Sequence, residues 1–82
     1  MYSVYAIKSL KNRNIYVGIS ENPKLRLVSR NRGETKSTKS YRPWKLIYER
    51  EVGSRKEARN EEKRLKSGYG KEFLKNLSNF RP

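Results

Sequence analysis

Residues 2–8, YSVYAIK, and residues 14–19, NIYVGI, decide how this chain folds. In both stretches apolar and less apolar positions alternate with the period of two that marks a β-strand. The segment between them, Ser9 to Arg13, is polar and contains Asn12, so the pair reads as a hairpin. Pairing Tyr5 with Tyr16 also sets Val4 opposite Val17, Ala6 opposite Ile15 and Tyr2 opposite Ile19. One face is then wholly apolar. The other carries Ser3, Tyr5, Ile7, Asn14, Tyr16 and Gly18. A slip of one residue would mix the two faces, so burial favours this parity. Tyr5 and Tyr16 stand side by side on the wetter face. On pattern alone, such a cross-strand aromatic pair is a device that stabilises sheets.

Working outward, Asn22-Pro23 reads as an N-cap followed by proline in the first helical position. A helix follows over 23–31, with Leu25 and Val28 inward and Gly33 ending it. Arg26 and Arg30 are four apart and share one edge, where the ordinary reading is a solvated basic stripe. Residues 32–42 read as a long polar, basic loop, and residues 44–51 as a third strand carrying Trp44, Leu46, Ile47 and Tyr48. Ser54 with Glu57 three residues on fits a capping box that opens a helix over 55–67, closed by Gly68. Its apolar positions, Ala58 and Leu65, lie seven apart on one meridian. Glu61 and Glu62 each flank that meridian by about 50°, so periodicity does not choose between them. A salt bridge to Arg, or a Glu62–Lys66 pair, would be the plain explanation of either. A last helix over 70–77 would turn Phe73, Leu74 and Leu77 to the core. The expected architecture is α/β, in the α+β sandwich sense: one domain, 1–82, with a three-stranded, largely antiparallel sheet flanked by about three helices.

With 82 residues there is room for one small domain. Its 21 Lys and Arg against 8 acidic residues leave a net charge of +13, which points to a polyanionic partner and above all to nucleic acid. What is missing bounds the chemistry. Without Cys there is no thiolate zinc site and no Cys nucleophile; without His there is no imidazole base and no Ser-His-Asp triad. Without Asp there is no multi-Asp metal cluster, and all eight acids are Glu. An enzyme built from this chain works with Tyr, Lys, Arg and Glu. No stretch approaches the roughly 18 apolar residues of a spanning helix. Lys8 and Lys11 interrupt the apolar run that a signal peptide needs, so the default expectation is a cytoplasmic protein without a membrane partner.

Val4-Tyr5-Ala6, Tyr16-Val17-Gly18, Arg26-Leu27 after Asn22-Pro23, the stretch Tyr41 to Tyr48, and Ala58, Glu62 and Lys66 at intervals of four occur in one order. That ordered set resembles the GIY-YIG endonuclease domain, and is similar to its small single-domain members related to the excision-repair nuclease subunit. Ser3 stands where the family usually has Gly, and Arg30 where many small members carry His. The resemblance implies a DNA endonuclease or nickase dependent on Mg²⁺ or Mn²⁺, with a place in DNA repair. In it Glu62 binds the metal, Tyr16 or Tyr5 orients or deprotonates the attacking water, and Arg26 offsets phosphoryl charge. Gly18 keeps the strand edge close to the site. All four side chains are expected to line one cleft opposite Val4 and Val17. Arg30, Arg32, Lys36, Lys39, Arg42 and Lys66 are candidate DNA contacts. A protein partner for targeting is compatible with so small a domain. The alternative is a catalytically weak or inactive nucleic-acid-binding module on the same scaffold.

Overall fold

The computed structural model describes residues 1–79. Strand β1 (Tyr2–Ser9) lies between β2 (Ile15–Ser20) and β3 (Trp44–Gly53) and is antiparallel to both. The helices are α1 (Pro23–Asn31), a single turn α2 (Lys36–Lys39), α3 (Arg55–Lys66) and α4 (Gly68–Asn79). This is an α+β fold with three layers. Val4, Ala6 and Val17 form one core with Ala58 and Leu65 of α3 and Leu74 of α4. On the other face Tyr5, Ile7 and Trp44 form a second core, against which Tyr16, Leu27 of α1 and Leu46 pack.

The parity expected for the hairpin holds, but the register does not. Tyr5 pairs with Gly18 and Ile7 with Tyr16, a shift of two residues that keeps every side chain on its expected face. The face expected to be wetter is covered: Tyr5 and Ile7 are buried, because α1 and the start of β3 close over them. β1 is therefore buried on both sides, as a central strand between two helical layers must be.

Strand β3 contains a bulge at Ile47, between the pairs Ala6–Tyr48 and Ile7–Leu46. The extra residue sends two consecutive side chains the same way. Leu46 packs with Tyr5 and Trp44, while Ile47 and Tyr48 both pack with the Val4 core.

Helix α1 is capped as expected, with the Asn22 side chain accepting from the Leu25 amide at 3.2 Å, and Gly33 follows its end at φ +80°. Its buried stripe is not the expected one. Leu25, 64% exposed, and Val28 face outward, while Pro23, Leu27 and Arg30 face the sheet. The expected loop over 32–42 contains the turn α2, whose Thr38 is buried. Ser54 caps α3, accepting from the Glu57 amide at 3.2 Å. Gly68 opens α4 rather than merely closing α3; of the three residues expected to face the core from α4, Leu74 is buried, while Phe73 and Leu77 are partly exposed.

Candidate active site

The parity of β1 and β2 puts Tyr5 and Tyr16 on one face of the sheet, diagonal to each other across Gly18. A side chain on Gly18 would place its Cβ 2.8 Å from Tyr5 Oη and 3.1 Å from Tyr16 Cε1. Gly18 is thus the floor on which both phenols meet, and a methyl group there would displace them. This close approach, rather than an unusual backbone angle, is what requires glycine at this position.

Arg30 reaches the same place from the last turn of α1. It is only 4% exposed. Its guanidinium carbon lies 4.2 Å from the Tyr16 ring centre, and Nη2 donates to Tyr16 Oη at 3.0 Å. Nη1 makes a longer bond of 3.4 Å to Thr38 Oγ1, and Nε is buried without a partner. No carboxylate pairs with Arg30 among the described residues. The expected solvated stripe of Arg26 and Arg30 is therefore split. Arg30 is enclosed, which removes it from the surface cations available to DNA, whereas Arg26 is exposed. Arg26 makes no side-chain hydrogen bond or ion pair among the described residues, and it lines a shallow groove with Ile19, Asn22 and Ser29.

The last turn of α1 is anchored from behind. Asn31 donates to the Trp44 carbonyl at 3.0 Å and accepts from the Trp44 amide at 2.6 Å, as a paired strand residue would. The Trp44 indole in turn donates to the Thr38 carbonyl at 2.9 Å.

Glu62 stands on the other layer. Ala58 and Leu65 turn α3 onto the Val4 face, so the expectation that Glu62 shares the cleft opposite Val4 is not met. Its side chain is 17% exposed, and Oε2 lies 3.3 Å from Lys66 Nζ. The route between the two layers runs round the free edge of β2. A groove of about 530 Å³ there is lined by Tyr16 and Val17 on one side and by Leu65 and Lys66 on the other. Tyr16 and the partner of Glu62 thus border the same groove.

Periodicity left Glu61 and Glu62 equivalent, and their surroundings separate them. Both Glu61 oxygens accept from Arg64, at 3.0 and 2.6 Å, and Arg50 adds a contact at 3.5 Å. The hydrogen bonds from Arg64, helped by the charges of Arg64 and Arg50, hold the Glu61 carboxyl below its ordinary range even though burial pushes it up. A carboxylate so occupied is a poor metal ligand. Glu62 has one lysine on one oxygen, which leaves a hard donor of the kind Mg²⁺ or Mn²⁺ accepts. There is no cluster of three or more His, Cys, Asp or Glu among the described residues, so a cation held by Glu62 would rely mainly on water and substrate oxygens.

The remaining cations expected to meet DNA, Arg32, Lys36, Lys39, Arg42 and Lys66, are all exposed. Lys39 and Arg42 close over Gly33, which gathers part of this charge where α1 meets α2. Arg30, Asn31 and Thr38 were not singled out for the roles they have here. The spacing of Pro23, Leu27 and Arg30 at i, i+4 and i+7 was the available signal, but it ends on a charged residue.

No curated protein and no solved structure matches this chain. The model of the GIY-YIG catalytic domain matches residues 1–76, a span that holds both tyrosines, Gly18, both arginines and Glu62. By that match over nearly all of its length, the chain belongs to the GIY-YIG family.

Proposed function

We propose that this protein is a DNA endonuclease or nickase that hydrolyses phosphodiester bonds with the help of Mg²⁺ or Mn²⁺. The observation that carries the reading is the meeting of Tyr5 and Tyr16 over Gly18 inside a matched GIY-YIG domain. Domains of this family are generally endonucleases. The proposal treats residues 1–82 as one catalytic domain acting in the cytoplasm, related to the excision-repair nuclease subunit and aided in targeting by a protein partner. No helix among the described residues is long and apolar enough to cross a membrane.

In this reading Tyr16, with Tyr5 beside it, orients the attacking water and accepts or relays its proton. Arg26, unpaired among the described residues, offsets the negative charge that grows on the phosphoryl oxygens. Glu62 would hold the cation, which when bound supplies charge stabilisation at the scissile phosphate. Arg32, Lys36, Lys39, Arg42 and Lys66 supply sequence-independent phosphate contacts.

A plasmid-nicking assay with Mg²⁺ or Mn²⁺ tests this. Glu62→Ala and Tyr16→Phe are expected to lose about a hundredfold or more of the nicking rate. Equal cleavage by wild type and Glu62→Ala would sink the assignment. A second reading, a binding module without turnover, draws on the separation of Arg26 and Glu62 from the contacts of the tyrosine pair. It predicts tight, salt-sensitive DNA binding and no metal-dependent cleavage.

A further inference from the structure

We infer that Arg30 is a positioning residue for Tyr16: an enclosed cation that fixes the direction of the Tyr16 hydroxyl. This rests on the endonuclease reading above and adds a residue to it.

Arg30 is almost completely removed from water, has no carboxylate among the described residues, and leaves Nε without a partner. A guanidinium loses strong hydration on burial, and two bonds to neutral hydroxyls restore only part of it. A methionine or leucine would fill the same space between α1 and the sheet at lower cost. Packing therefore does not explain a cation here, and the contact with Tyr16 does.

A guanidinium has five donors and no acceptor. In the 3.0 Å contact the Tyr16 oxygen must accept, so its own O–H cannot point at Arg30. The Tyr16 ring lies under the guanidinium, 4.2 Å from its carbon, and adds a second contact that restrains the pair. The phenol proton is left to the side away from Arg30, and Tyr16 also borders the groove shared with Lys66. Arg30 cannot itself take a proton from Tyr16, so its part is orientation rather than general-base catalysis.

The test is a double-mutant cycle on the full chain in steady-state nicking with Mg²⁺, using Arg30→Met, Arg30→Lys, Tyr16→Phe and Arg30→Met with Tyr16→Phe. Arg30→Met is expected to lower kcat by about tenfold or more with KM for DNA nearly unchanged. Arg30→Lys, which keeps the charge but loses the planar fork, should recover part of that loss. In the Tyr16→Phe background the effect of Arg30→Met should shrink to about twofold or less. An equal loss in both backgrounds, or a loss confined to KM, would overturn the inference and leave Arg30 a packing or DNA-contacting group. A second readout does not depend on activity. The Nη signals of Arg30 in nitrogen-15 NMR should be resolved and slow to exchange in the wild type, and averaged in Tyr16→Phe. If the wild type does not cleave DNA, the endonuclease reading falls, and the NMR result still decides the clamp; identical Arg30 signals in the two proteins would overturn it.

Discussion

A methyl group on Gly18 would stand 2.8 Å from Tyr5 Oη, 3.0 Å from Tyr5 Cζ and 3.1 Å from Tyr16 Cε1. The Tyr5 ring is only 1% exposed and has little room to yield. Gly18→Ala is therefore expected to destabilise the fold by about 1–3 kcal/mol, the usual cost of overpacking, as read by urea denaturation. Its nicking rate should fall further than that loss of stability explains, because both phenols move together. The tyrosines themselves were legible in the sequence, since strand alternation puts them on one face whatever the register. Arg30 was not. Hydrophobicity ranks Leu25 and Val28 above it as buried positions of α1, and the reason for enclosing a charge there is a phenol fourteen residues away in the chain. Nothing local to α1 encodes that partner.

At the scale of elements, α3 is held at its start by Ser54 and on its flank by Glu61. Ser54→Ala removes the acceptor of the Glu57 amide and should cost about 1 kcal/mol in chemical denaturation. The effect of Glu61 depends on pH, and its sign follows from its lowered carboxyl value in the fold. The stabilisation is complete above the ordinary value of 4.5 and is lost as pH falls through the lower folded value. Glu61→Gln should thus flatten the acid limb of a plot of Tm against pH, with little change in its shape at neutral pH. The element boundaries were largely readable from capping residues, as Asn22 and Ser54 show. The hairpin register was not, because a shift of two residues leaves the same side chains on the same faces and differs only in which pairs meet. The bulge at Ile47 was hidden for a related reason: Leu46, Ile47 and Tyr48 are all apolar, so their sequence does not reveal which two share a side.

Across the whole molecule the charge of +13 sets how it meets a polyanion. Each phosphate contact releases counterions, so the logarithm of the DNA-binding constant should fall linearly with the logarithm of salt concentration. Replacing Arg32, Lys36, Lys39 or Arg42 by Gln should each reduce that slope by about one, measured by fluorescence anisotropy of a labelled duplex. Arg30→Met should leave the slope unchanged, since Arg30 is enclosed. The charge was legible from composition, while its division between an exposed surface and one enclosed residue required the fold. So did the separation of Tyr16 and Glu62 onto opposite layers, because the sequence of α3 specifies an apolar meridian without naming the sheet face that receives it. The anchoring of α1 has one more consequence. Trp44 is the only tryptophan in the chain, its indole is bonded to the Thr38 carbonyl, and the Thr38 hydroxyl is bonded to the guanidinium beside Tyr16. The protein thereby carries a built-in optical probe three hydrogen bonds from that phenol, so the emission of a single unlabelled residue can report disturbance of its site.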